Sequence, residues 1–63
     1  MVKKPVAKLS GENGNIFNLL GIASRSLKSA GQYGKATEMC QRATSSKSYD
    51  EALSIIMEYV EVA

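Results

Sequence analysis

Ile16, Leu20, Ala23, Leu27 and Ala30 recur at steps of four and three, with Leu19 beside them, while Asn18, Arg25, Lys28 and Ser29 fall on the opposite side. That period predicts an amphipathic helix over 15–31. A helix of about four turns is marginal alone in water, so its stability must come from burying the apolar stripe against the rest of the chain. Asn13 or Asn15 supplies its N-cap by accepting a bond from a free amide of the first turn. Gly31 suits the residue just past its end, with Lys28 near the negative pole of the helix dipole.

A second helix is predicted over 33–43. Tyr33, Ala36, Met39, Cys40 and Ala43 share its apolar face, and Lys35, Glu38, Gln41 and Arg42 face away. Gly34 near its start weakens it. Residues 44–48 form a polar connection, after which Ser48 and Glu51 stand at capping-box spacing. Ala52, Leu53, Ile56, Tyr59 and Val60, flanked by Ile55 and Met57, then supply the face of a third helix. So broad an apolar arc needs cover on two sides.

The two ends show a different period. Residues 6–10 alternate as a short strand with Ala7 and Leu9 on one side, and Pro5 suits its first position, where no ladder donor is needed. Ser10, Gly11, Glu12, Asn13 and Gly14 follow as a turn. Residues 60–63 alternate again, either as a frayed helix end or as a second strand beside the first. A two-stranded sheet is marginal alone and would need the helices on one face. The expected architecture is therefore α+β, strand-helix-helix-helix-strand, with a two-stranded sheet packed on a three-helix core. The alternative is an all-α three-helix bundle with loose ends. Residues 1–5 are expected to form a flexible basic tail and 6–63 a single small globular domain.

A chain of 63 residues buries only about 60% of its unfolded surface, so its core is small. Its composition, 44% hydrophobic and 22% charged, is that of a folded domain and not of a disordered segment. Cys40 is alone and histidine is absent, so neither an internal disulfide nor a Cys/His zinc site staples the fold. No apolar run reaches the roughly 20 residues that span a bilayer, and residues 1–10 lack the apolar segment of a signal peptide. These features lead us to expect a cytoplasmic protein that does not enter membranes.

Charge is divided along the chain. Lys3, Lys4, Lys8, Arg25, Lys28 and Lys35 stand against Glu12 alone, whereas from residue 36 onward Arg42 and Lys47 stand against Glu38, Asp50, Glu51, Glu58 and Glu61. Such asymmetry marks a nucleic-acid or membrane surface, or two solvated faces of one small domain that attract each other.

One set of residues carries a resemblance. Leu9, Ser10, Gly11, Gly14, Asn15, Phe17 and Gly21, then Ala30 and Gly31, Tyr49 and Asp50, and the closing Tyr59, Val60, Glu61 and Val62 resemble a group of small uncharacterised bacterial proteins. Those proteins are encoded on phages, plasmids and conjugative transposons. The resemblance runs from Leu9 nearly to the end of the chain. It implies a genomic neighbourhood and carries no catalytic residues.

Catalysis finds little support in the residue set. The commonest general base is missing, and Cys40 lies on a predicted apolar face, where a cysteine behaves as a small hydrophobe. Asp50 and Glu51, adjacent in a first helical turn, stabilise the helix dipole and point in different directions. Gly11 and Gly14 match neither a P-loop nor a dinucleotide fingerprint. No catalytic residue, cofactor, metal or small-molecule substrate is therefore expected.

Two binding functions remain. A helix-turn-helix made from the second and third helices would turn Asp50 and Glu51 toward phosphates, which argues against it. The nucleic-acid alternative instead uses Lys3, Lys4, Lys8, Arg25 and Lys28, with the polar side of the first helix. The favoured expectation is a non-enzymatic protein-interaction or regulatory module of a mobile genetic element. It would bind a protein partner or a second copy of itself through Phe17, Ile22, Tyr33 and Met57 at the margins of the apolar stripes.

Overall fold

A computed structural model describes residues 4–9 and 14–63. Lys3, most of the expected turn and the alternative cap Asn13 lie outside the described residues. The elements follow in the order β1 (Val6–Ala7), α1 (Ile16–Ser29), α2 (Tyr33–Thr44), α3 (Tyr49–Tyr59) and β2 (Glu61–Val62). The fold is α+β, with three helices and a two-stranded sheet.

The strands are parallel, Val6 opposite Glu61 and Ala7 opposite Val62. Parallel neighbours cannot be joined by a tight turn, and here all three helices lie in the connection. Regular strand structure is shorter than the alternation over 6–10 suggests, but pairing reaches beyond it. Glu61 N donates to Pro5 O at 2.9 Å, Ala63 N to Ala7 O at 3.0 Å and Leu9 N to Ala63 O at 3.1 Å. Lys4 Nζ adds a bond to the carbonyl of Met57 at 3.3 Å.

The helix ends follow from side chains that compete for backbone groups. Asn15 accepts from Phe17 N at 2.8 Å and starts α1. At the other end Gly31 takes φ +77°, its amide bonds Lys28 O at 3.0 Å, and Gln32 N bonds Leu27 O at 2.8 Å. This pair of bonds is the Schellman closure, for which the left-handed conformation of glycine is suited. Helix α2 begins at once, without a side-chain cap. Ser48 Oγ accepts from Glu51 N at 3.1 Å and starts α3.

The core draws on the three helices and on residues at the sheet. Leu19, Leu20, Ala23 and Leu27 of α1 meet Ala36, Met39 and Ala43 of α2 and Ala52, Ile55, Ile56 and Tyr59 of α3. Ala7, Leu9 and Val60 close it from the sheet side, with Leu27, Met39, Ile56 and Val60 fully enclosed. Two stripe positions depart from the expected pattern, Ala30 and Tyr33, both exposed. Each stands at a helix end, the first as the C-cap of α1 and the second as the opening residue of α2. Val60 lies just beyond α3 in extended backbone (φ −135°, ψ 155°) and still reaches the core.

Candidate functional site

Helix α2 has two flanks, and they are built differently. Toward α3, residues that α2 was expected to present to solvent stay exposed and reach across to the neighbouring helix. Arg42 grips Glu58 with two bonds, Nη1 to Oε1 at 2.9 Å and Nη2 to Oε2 at 3.1 Å. The same Nη1 donates to the hydroxyl of Tyr59 at 3.0 Å, and that hydroxyl donates to Glu38 Oε2 at 2.7 Å. Tyr59 thus buries its ring in the core and places its polar tip between a cation and a carboxylate, a division suited to its amphipathic side chain.

The electrostatics follow from these contacts. Hydrogen bonding to Arg42, helped by the nearby positive charge of Lys4, holds the Glu58 carboxyl below the usual carboxylate range. Reciprocally, the bonds to Glu58 and then Tyr59 keep the Arg42 guanidinium more firmly protonated than usual. Gln32 and Lys35 line the same open cleft with Lys4. Arg42 and Glu58 are committed to each other and Glu38 to the Tyr59 hydroxyl, an arrangement that clamps α2 to α3.

Toward α1 the opposite holds. Phe17, Leu20, Gly21, Ser24, Arg25, Lys28 and Cys40 line an open groove between α1 and α2, and among the described residues no carboxylate lines it. Phe17 is 72% exposed and stands on the groove's rim. It also borders a second hollow, reached past Ile16 and Leu20 to Ala43, Ala52 and Tyr49. Tyr49 is 43% exposed, and its hydroxyl lies 3.7 Å from where a side chain at Gly14 would begin.

The residues singled out from the sequence are partly brought together. Arg25 and Lys28 share the groove with Phe17. Lys4 is drawn away to Met57 O and the Glu58 cleft, Lys8 is exposed next to β1, and Lys3 lies outside the described residues. The five cations therefore do not form one described surface. Of the apolar set, Tyr33 is 63% exposed at the start of α2 and Met57 is 53% exposed on α3. Neither lines the Phe17 groove. Ile22 is half-buried and packs against the core.

Sequence reasoning missed the Glu38–Tyr59–Arg42–Glu58 network. One signal was present: Glu38 and Arg42 are four residues apart on α2, a spacing that puts them side by side. What the spacing could not give was α3, whose Tyr59 hydroxyl bridges the two. Cys40 is half-buried against the core, as its place on the apolar face suggests. Among the described residues, no three His, Cys, Asp or Glu side chains gather where a metal ion could sit, and no helix is long and apolar enough to cross a membrane.

Comparison of the chain with protein-family models, with curated proteins and with solved structures returns no match.

Proposed function

We propose that this chain is a small non-enzymatic docking module that acts by binding protein surfaces, in the setting of a mobile genetic element that its sequence resemblance implies. The observation that carries this reading is Phe17, 72% exposed between two hollows of the α1 surface. Singly exposed apolar residues are ordinary on proteins. Phe17 differs because a neighbouring chain could bury its ring together with the adjoining, half-buried Ile16. Fully burying such a ring is worth roughly 1.5–3 kcal/mol, most of it unrealised in the monomer.

The test is a photo-crosslinking amino acid placed at position 17 in host cells, with the same group at Tyr33, also exposed but outside both hollows, as the comparison. Discrete adducts at 17 that are missing at 33 support docking. Equal background at both positions overturns it.

A second reading, nucleic-acid binding, is favoured by one arrangement. Arg25 and Lys28 line the same groove as the exposed ring of Phe17, and single-stranded binders combine cations with aromatic platforms. Two-dimensional NMR titration with duplex and single-stranded DNA, at low and at physiological salt, separates the readings. Shifts confined to Phe17, Arg25 and Lys28 that fade with salt support nucleic acid. Unchanged spectra at both salts remove sequence-independent binding.

A further inference from the structure

We infer that the groove face of α1 is covered by the outer face of α3 from a second copy of this chain, joined head to tail. The inference rests on the docking reading above and names the partner. It starts from Gly21, which is exposed in the middle of α1 and has nothing within 4 Å of where a Cβ would stand. Internal packing gives no reason for glycine there, although glycine inside a helix costs about 1 kcal/mol relative to alanine. With Ser24 it makes a smooth step between Phe17 at one end of the stripe and Arg25 and Lys28 at the other. Another backbone could approach closely across that step.

The chain itself carries the complementary surface. Asp50, Ser54 and Met57 fall on one outward stripe of α3, with Glu51 beside it, and all four are exposed. From the N-terminal end, α1 reads ring, small, small, cation, cation. Helix α3 reads carboxylate, small, thioether. Laid antiparallel, Met57 meets Phe17, Ser54 meets Gly21, and Asp50 and Glu51 come nearest to Arg25, with Lys28 about 6 Å beyond Asp50 along the axis.

The spacings agree. Phe17 to Arg25 is about 12 Å along the axis and Met57 to Asp50 about 10 Å, at a rise of about 1.5 Å per residue. Sulfur against an aromatic ring is a favourable contact. The antiparallel arrangement also sets the negative end of one helix dipole beside the positive end of the other. Among the described residues no acidic side chain lines the α1 groove. The division of charge along the sequence thus becomes two mating faces.

The faces are different parts of the molecule, so each copy offers one of each. Such a heterologous contact closes into a ring or runs on as a chain of copies. Its stripes are three turns long at most, which places it among weak, concentration-dependent contacts.

The experiment is sedimentation velocity of the whole chain from about 10 µM to 1 mM, at low and at high salt. The wild type should gain average mass by about half or more over that range, and less at high salt. Arg25→Glu with Lys28→Glu should stay monomeric, as should Asp50→Lys with Glu51→Lys. Mixing the two variants should restore association, because the reversed faces complement each other. Gly21→Gln, whose Cβ would meet no neighbour inside the chain, should keep its helical circular dichroism and lose association, so a folding defect in the charge variants cannot stand in for the result. A wild type that is monomeric throughout, or charge-reversed variants that each associate like the wild type, overturns the inference. If the wild type is monomeric while position 17 crosslinks a different protein, self-association falls and the docking reading stands. If position 17 also shows only background, both fall.

Discussion

The two flanks of α2 (Tyr33–Thr44) teach how a small chain separates charges that hold it together from charges left for something else. Toward α3, Arg42 meets Glu58 and Tyr59, and Tyr59 reaches Glu38. Toward α1, Arg25 and Lys28 line a groove with the open ring of Phe17, without a carboxylate among the described lining residues. Residues of the same type thus do different work on the two sides. The distinction comes from whether a partner from another helix arrives at hydrogen-bond distance, and not from charge or exposure alone.

The strongest way to break this comparison is through the core that both flanks share. Ile56→Ala on the α3 side and Leu27→Ala on the α1 side each remove fully enclosed atoms. Each should cost roughly 2–5 kcal/mol in urea denaturation. Because total stability of a domain is only about 5–15 kcal/mol, either change should bring both flanks close to unfolding in one transition. If Leu27→Ala left the α3 amide signals native while those of α1 were lost, the flanks would be independent units.

Next come the two connections. Gly31→Ala forces a side chain into φ +77° at the α1–α2 link and should cost about 1–2 kcal/mol. Ser48→Ala removes the cap of α3 and should cost about 1 kcal/mol. Similar denaturation midpoints for the two variants would show that both links contribute comparably. Gly21→Ala sharpens the contrast in the other direction. It should stabilise the monomer by up to about 1 kcal/mol, since the added methyl meets nothing inside the chain, while weakening contacts made through the groove.

The smallest effect is expected from the clamp itself, because Arg42 and Glu58 stay about half exposed and are screened by water and salt. The sign is nonetheless fixed. The folded carboxyl of Glu58 titrates below its unfolded value. Its stabilising contribution is therefore fully present above the ordinary carboxylate range, and it disappears as pH falls through the depressed folded value. Glu58→Gln should lie slightly below the wild type in stability at pH 7, and the gap should close in acid. A gap that widened in acid would contradict the clamp.

Much of the fold was legible because local chemistry repeats locally. The stripe of α1 (Ile16–Ser29), the cap at Asn15, the glycine at 31 and the Ser48 start of α3 (Tyr49–Tyr59) all depend on residues within a few positions of one another. Alternation at both ends was enough to suggest that they pair. What the pattern could not provide was the limit of each stripe. Ala30 and Tyr33 continue the apolar period but stand at helix ends, and both are exposed. Ile22, set at a stripe margin, packs against the core. The Glu38–Tyr59–Arg42–Glu58 network joins positions 16 to 21 residues apart and depends on how two helices cross. The Phe17, Arg25 and Lys28 surface was more accessible to sequence reasoning, since all three lie on one helix. The separation of Lys4 from it was not, because that depends on where the N-terminal segment meets α3.

The parallel pairing of Val6–Ala7 with Glu61–Val62 has a kinetic consequence. Each helix can begin from contacts a few residues away, but the sheet must close a loop that contains all three. The entropy of that closure grows with loop length and is recovered only when the ends meet a surface already in place. The sheet is therefore expected to form last, as a latch on the assembled helices. Conversely, local opening should begin there, with the Glu61 and Ala63 amides exchanging with solvent before those of Leu27 and Ile56.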